Sequence, residues 1–526
     1  MSNRNAATDP KPNGQATEFI ERVRINQRRL GSELKPHYDF IVCGSGSSGS
    51  VVARRLAENP AVSVLLLEAG GSDDLPNITD GRQWSTNLRT ERDWNFQTRP
   101  NPHLNGRSGP LAMGKVLGGG SSINAMAWAR GHKNDWDYFA REAGDPAWNY
   151  ESVLNIYRRI EDWQGTPDPE HRGTGGLLFI QPGPDTDPIV PAMFAGARSV
   201  GIPTFDSING RMMEGPGGCA VIEMRMRDWQ RLSIFRSYTF PYMDRPNLTV
   251  LTYAPVTRLI FGDRRVNGVE FIYDGKVYRI GAGLEVVLSL GAINTPKVLM
   301  QSGVGDQAEL HRLGIPLVQH LPGVGQNFQD HVVLPGCIWE CHGNEPDGAF
   351  HWFWKSDPSL DTPDLQTTQV RLELTGLKKA NPNLPAEGWA MYPAVVRTKS
   401  RGYLRLTGPS PLDPVDIETN ILSDPDDLKA LAAGVELCRQ IGNSAALRPF
   451  FKQEVAPGSM KRQAMENFLR SNAISWWHQS CTAKMGRDSM SVVDANLKVY
   501  GIENLRIADI SVMPRNRSEA VAQIGA

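Results

Sequence analysis

The sequence predicts an α/β fold, a Rossmann-type nucleotide-binding domain with an interleaved α+β domain of antiparallel sheet plus helices, on three observations. A strand, a glycine turn, a helix and a second strand follow one another near residue 40; two alternating segments lie near residue 260; and an apolar strand at 285–290 runs into another helix.

In the first unit, Tyr38-Asp39-Phe40-Ile41-Val42-Cys43 reads as a buried strand, Gly44 to Gly49 as a turn and Ser50 to Glu58 as a helix. Val62 to Glu68 is the next strand, an apolar run of Val62, Val64, Leu65, Leu66 and Leu67 ended by an acid and Ala69-Gly70-Gly71. These elements within roughly thirty residues make a βαβ unit of right-handed crossover. Further on, Asn247 to Phe261 and Arg265 to Tyr278 alternate with period two around a turn at Gly262-Asp263, so they read as antiparallel strands appended to the nucleotide fold. Glu285 to Leu290 followed by a helix over Thr295 to Ser302 returns the chain to the first sheet. Before all of this, Phe19, Ile20, Val23, Gln27 and Leu30 mark an arm helix, expected as an appendage.

The bulk numbers restrict the partners. At 526 residues the chain can bury a large ligand. Its 56 Lys plus Arg against 57 Asp plus Glu leave a net charge of −1, which gives no drive toward nucleic acid or an anionic membrane. No uninterrupted apolar run reaches the roughly 18 residues of a membrane span, and the polar opening lacks a secretory signal's apolar centre, so a cytoplasmic protein is expected. Six scattered cysteines lack the spacing of a zinc site, and no metal is expected.

Gly44-Ser45-Gly46-Ser47-Ser48-Gly49 is a GxGxxG turn opening a helix. Gly44 permits the tight turn, Gly46 lets backbone approach a pyrophosphate, and Gly49 allows close packing of helix on strand. The helix N-terminus, from Ser47 and Ser48, offers N–H groups to phosphate, and Glu68 would accept ribose hydroxyls, which disfavours a 2′-phosphate. Gly114 to Asn124 then gathers glycines and hydroxyls where backbone must lie against a flat ligand, with Val116, Leu117 and Ile123 interleaved.

That segment, together with Gly291-Ala292-Ile293-Asn294-Thr295-Pro296 and its continuation to Gly305, resembles the two signature motifs of the glucose–methanol–choline (GMC) oxidoreductases position for position. Leu321 to His331, Trp94-Asn95-Phe96 and Leu505 to Asp509 are similar to the same family, so the resemblance runs from about Tyr38 to Pro514. It implies an FAD-binding domain over 38–160, 220–332 and 475–526, interrupted by a substrate domain over 161–219 and 333–474, with residues 1–37 as the arm. It further implies that Val116, Gly119, Ser121, Asn124, Ala125, Met126 and Ala127 line the flavin side, that Val256 touches the adenine, and that Ala508 and Asp509 meet the ribityl–diphosphate part. Some relatives attach FAD through a histidine where this chain has Ile123, so non-covalent FAD is expected.

Trp477-His478-Gln479-Ser480-Cys481-Thr482-Ala483-Lys484-Met485-Gly486 resembles the family's active-site histidine motif, with Cys481 where glycine is common. Oxidation of an alcohol by hydride transfer to flavin N5 needs the hydroxyl proton removed, and a neutral imidazole suits that task, so His478 is the candidate base beside Trp477. His331 and His320 are weaker candidates. Relatives pair the histidine with an Asn or His past a Met-Pro; here ungapped register from Met513-Pro514 puts Ala522 in that slot, and the usual closing helix is missing. A methyl group cannot hydrogen-bond an alkoxide, so impaired activity is one expectation.

Trp339, Trp352, Phe353, Trp354, Trp476 and Trp477 suggest core packing or a flat pocket for a primary aryl or heteroaryl alcohol. Choline is disfavoured because no evident carboxylate stands beside them. The function expected is FAD-dependent alcohol oxidation to an aldehyde, with O2 or a quinone as acceptor. The alternatives are a hydroxynitrile lyase-like activity on the same fold and a catalytically impaired flavoprotein.

Overall fold

The computed structural model describes residues 14–183, 187–343, 350–371 and 383–516. A seven-stranded sheet runs in the order Leu248–Leu251, Val64–Leu67, His37–Cys43, Lys276–Leu288, Arg265–Tyr273, Val256–Gly262, with Leu505–Ile507 also paired to Lys276–Leu288. The first four strands are parallel, as a βαβ unit requires. The thirteen-residue strand Lys276–Leu288 does double duty: its first half pairs antiparallel with Arg265–Tyr273, and its second half lies parallel to His37–Cys43 and to Leu505–Ile507. Helices Ser47–Ala57 and Gly291–Gln301 follow the strands as expected, each starting three or four residues earlier than the apolar pattern suggests.

One strand reading is corrected. Asn247 to Phe261 is not a single alternating strand: Leu248–Leu251 is buried on both faces and pairs parallel with Val64–Leu67, whereas Val256–Gly262 pairs antiparallel at the opposite edge. Between them Tyr253 turns the chain at φ +56° just before Pro255.

The arm helix Gly14–Ser32 is no loose appendage either. Val23 and Leu30 are buried, and Gln27 reaches the edge strand, donating from Nε2 to Leu248 O at 2.9 Å and accepting from Val250 N at 2.9 Å.

A second sheet of eight strands is built from Gly218–Val221, Val332–Val333, Cys337–Cys341, Phe350–Trp354, Leu365–Arg371, Gly388–Val395, Phe451–Ala456 and Ile474–Ser475. The amphipathic helix Pro425–Gly442 packs on it. Here three of the six predicted aromatics are used up: Trp339 and Trp352 sit fully buried in that layer, and Phe353 in a neighbouring cluster. Their surface is core, not pocket wall.

A buried ionic cluster lies at a separate three-stranded sheet of Glu161–Trp163, Leu178–Pro182 and Glu223–Met224. Glu161 accepts from Arg172 Nε at 2.9 Å and Nη2 at 2.7 Å, from Trp128 Nε1 at 3.1 Å and from Arg130, while Glu223 takes a further Arg172 nitrogen at 2.7 Å. Removing one partner of such a set strands the other charges. Glu161→Ala is therefore expected to cost about 3–5 kcal/mol of stability, read as a lower midpoint in urea unfolding with unchanged slope.

Candidate active site

The glycine turn has the backbone shape its spacing predicts. Gly44 sits at φ +96°, and a Cβ there would meet Ser289 O at 2.4 Å; one on Gly49 would lie 1.8 Å from Gly44 O. Gly46 differs: a Cβ on it would meet nothing within 4 Å, and the same holds for Gly120. Gly119, at φ +52°, passes so close that its Cβ would lie 2.8 Å from Gly46 Cα, and Gly118 N donates to Ser45 O at 3.0 Å. Two glycine turns from separate parts of the chain thus touch at their backs while Gly46 and Gly120 border open space. No side chain caps the helix Ser47–Ala57, so the N–H groups near Ser47, Ser48 and Gly49 are available to an anion. A backbone cradle whose open edge a side chain would fill fits a dinucleotide.

Glu68 ends the second strand, as predicted, but its carboxylate already works within the protein. Oε2 accepts from Ser45 N at 2.9 Å and Ser45 Oγ at 2.7 Å, and Oε1 from Gly70 N at 2.8 Å. Ala69 N bonds it as well, so the carboxylate's roughly four acceptor positions are met from within the protein, and a ribose hydroxyl would have to share one of them. Burial raises its pKa against those hydrogen bonds. Glu68 O also accepts from Ala254 N at 2.7 Å, which brings Val256, two residues on and half-buried, to the same end of the cradle. Tyr253, which the sequence reading overlooked, is 67% exposed there and leans over Gly71.

Along the second glycine turn, Val116 is buried and bridged to Gly71, and Ser121 Oγ donates to Gly118 O at 2.7 Å and accepts from Ile234 N at 3.1 Å. Asn124 Oδ1 accepts from Met126 N at 3.1 Å; Met126 is buried at φ +64°, Ala127 is bridged to Met224, and Ala125 is left exposed. Ile123 packs with Ile78 and Val116. Asp509 joins the far end: it accepts from Gly291 N at 2.9 Å, Thr295 Oγ1 at 2.6 Å and Ser511 N at 2.8 Å, and Ala508 N is bonded to Leu288 O at 2.8 Å. Asp509 therefore ties the last strand to the start of helix Gly291–Gln301.

His478 stands on the loop after Ile474–Ser475. That short strand pairs antiparallel with Val332–Val333, which places Asp330 and His331 opposite it. Asp330, 4% exposed, accepts from His478 N at 2.8 Å and from Ser475 Oγ, and Ser475 Oγ also accepts from Trp477 N at 2.9 Å. The two imidazoles meet edge to face with Nδ1 to Nδ1 at 2.8 Å, and the Trp476 ring stacks on His478 at 5.7 Å. An Nδ1–Nδ1 contact requires one ring to donate and the other to accept, so each imidazole's tautomer is dictated by its neighbour. Trp477 itself turns at φ +61° and donates from its indole to Pro110 O at 3.3 Å. Cys481, in the place of a common glycine, occupies φ +74°, which explains why glycine is usual there. Past it, Cys481 N, Ala483 N and Met485 N bond to Ile510 O, Ser511 O and Val512 O, and Thr482 Oγ1 donates to Ala292 O at 2.6 Å, linking the imidazole loop to Asp509 and the cradle. The predicted partner slot at Ala522 lies outside the described residues.

Burial pushes the Asp330 carboxyl up to about 7 despite hydrogen bonds from Ser475, His478 N and His331 N. With its folded-state value above the unfolded 3.8, this group costs nothing below pH ~4 and progressively destabilises the fold as pH rises through 7, on the order of 4 kcal/mol in full. Asp330→Asn escapes that penalty. The difference in melting temperature between variant and parent is therefore expected to move in the variant's favour from pH 5 to pH 8; a difference constant with pH would contradict it.

Among the described residues no group of histidines, cysteines and acids could hold a metal ion, and no helix is long and apolar enough to cross a membrane.

Comparison with known proteins bears on the family and the fold. Residues 38–333 match the N-terminal part of the family described as GMC oxidoreductase, and residues 398–522 match its C-terminal part. The chain is similar to the mitochondrial choline dehydrogenase of Mus musculus, 35% identical over 93% of this chain and 87% of that protein. It is similar to an alcohol dehydrogenase [acceptor] of Pseudomonas putida, 34% identical over 91% of each. Among solved structures, pyridoxine 4-oxidase from Mesorbium loti superposes with a TM-score of 0.86 at 26% identity, over 92% of this chain and 96% of that one.

Proposed function

Because the chain belongs to the GMC oxidoreductases, FAD-dependent enzymes acting on CH–OH groups, we propose that it oxidises a primary alcohol to the aldehyde with His478 as the base. The observation that carries this reading is the buried Asp330–Ser475–His331 arrangement, which grips His478 by backbone and ring alike. FAD supplies the two-electron acceptor for the hydride that leaves the alcohol carbon. The residues proposed to hold it are the 44–49 turn with Glu68 and Val256 at the adenosine end, and Val116, Gly119, Ser121, the 124–127 segment, Trp477, Ala508 and Asp509 toward the ring.

With His331 Nδ1 accepting, His478 Nδ1 carries the shared proton and Nε2 carries the lone pair that takes the substrate hydroxyl proton. Asp330 holds that ring in place through His478 N, and its burial keeps water from competing for the contact. Ile123 offers no nucleophilic atom, which supports non-covalent binding.

Trp476, stacked on His478, supports a flat alcohol such as an aryl or heteroaryl carbinol. The carboxylate bonded to His478 is spent on Ser475 and backbone, which disfavours a quaternary ammonium substrate. Anaerobic titration of the yellow protein with benzylic, pyridylic and aliphatic alcohols tests the reading: a productive substrate bleaches the flavin stoichiometrically, and failure of every primary alcohol to do so defeats it. Reoxidation of the bleached protein by O2 or by a quinone then identifies the acceptor.

A further inference from the structure

Among the described residues, two arginines lie buried with no carboxylate bonded to them, beside the segment that presents Ala125. Arg225 is 1% exposed, and Nε, Nη1 and Nη2 all lack a hydrogen-bond partner among the described residues. Arg231 is 5% exposed; it donates from Nη1 to Ser121 O at 3.2 Å and Asn124 Oδ1 at 3.0 Å and from Nε to Ile78 O at 2.9 Å, with Nη2 unpartnered. Backbone bonds fasten them to the same place: Arg225 N donates to Met126 O at 3.0 Å and Leu232 N to Arg225 O at 3.2 Å. Glu223, two residues from Arg225, is engaged by Arg172, Ser207 and Asn209, and no carboxylate among the described residues is bonded to either guanidinium.

Leaving a buried guanidinium unpaired is among the costliest arrangements a fold can keep. Burial lowers the pKa of Arg225 to about 10 and, together with Arg225's own charge, that of Arg231 to about 9, so both remain protonated at neutral pH. A side chain of the same length without charge would be cheaper at position 225. The positive field is thus retained at a cost in stability, and it is held against the 121–126 segment.

Resting on the reading above, in which that segment lies against the flavin, we propose that Arg225 and Arg231 act as positioning charges that favour the electron-rich, negatively charged state of the flavin ring over its neutral oxidised state. The charges act through space, since Arg225 is closed off from any open surface. At the effective dielectric of about 20 that holds even for buried protein sites, a full charge about ten ångströms from a second charge shifts such an equilibrium on the order of tenfold. No atom is transferred by either arginine; they bias where the electron pair from the alcohol carbon comes to rest.

The experiment compares the FAD-loaded parent protein with Arg225→Met, which removes the charge at similar length, and Arg225→Lys, which keeps it. The readouts are the flavin midpoint potential, the dissociation constant of the sulfite adduct, and the melting temperature. Arg225→Met is expected to lower the potential by about 30 mV, the equivalent of tenfold for a two-electron couple, and to weaken sulfite binding about tenfold while melting at the same or a higher temperature. Arg225→Lys is expected to keep both flavin values near those of the parent. An unchanged potential in Arg225→Met, or a fall in melting temperature with no flavin change, would make the residue structural and overturn the proposal. Should Arg225→Met not fold, a parent-like potential in Arg225→Lys with a lowered one in Arg225→Gln supports it, and equal potentials in those two overturn it. A parent protein purified with no flavin, and unable to take any up, would instead count against the flavoprotein reading itself.

Discussion

His478→Ala is expected to slow anaerobic flavin reduction by an alcohol about 10²- to 10⁴-fold while FAD content and fold are retained. The fold survives because Asp330 grips His478 through the backbone N–H at 2.8 Å, a bond that alanine keeps. The partner ring of His331 is fully buried and bonded to the position the imidazole vacates, so the loss falls on proton transfer and on the tautomer that His331 enforces. Stopped-flow reduction at several pH values checks this: the variant should lose the titration of the base from its rate profile. A variant reduced as fast as the parent would remove His478 from the mechanism and leave the His331 pairing without a role in turnover.

Gly46→Val is expected to abolish flavin binding and leave the protein colourless but folded. The contrast between neighbouring glycines is the reason. A Cβ on Gly49 would lie 1.8 Å from the carbonyl of Gly44, so even alanine there must move the turn, whereas a Cβ on Gly46 meets no protein atom within 4 Å. The valine side chain would therefore stand in the open cradle, where the cofactor's phosphates are proposed to lie, without straining the chain around it. Absorbance of the purified variant together with its circular dichroism separates the two effects. Retention of stoichiometric FAD would show that the dinucleotide does not lie along this turn.

Much of the architecture could be read from local pattern. The strand His37–Cys43, its glycine turn and the acid at the next strand's end carry their spacing on their face, and the helix after Leu290 follows from the same logic. Where pattern misled, burial was the cause. Leu248–Leu251 is covered on both faces, so its residues cannot alternate, and the apparent continuity to Phe261 hid a change of sheet edge at Tyr253. The aromatic cluster was ambiguous for a related reason: periodicity says that Trp339 and Trp352 face inward, not what they face.

At the candidate site, His478 was singled out by its motif. Asp330 was not marked as its clamp, because the contact spans 148 residues and depends on two short strands pairing. Arg225 gave no signal at all. In Met224-Arg225-Met226-Arg227 the charges look like an ordinary exposed face, and Arg227 does lie exposed while Arg225 is sealed in.

The arm helix Gly14–Ser32 has a further effect through one side chain. By offering an amide oxygen to Val250 N and an amide N–H to Leu248 O, Gln27 imitates a short piece of neighbouring strand and satisfies two backbone groups on the sheet's outermost strand. A parallel ladder left bare would recruit whatever backbone came near, including another copy of itself. A glutamine on a helix carries no extendable ladder of its own, so the two edge groups it occupies are withdrawn from pairing with another strand.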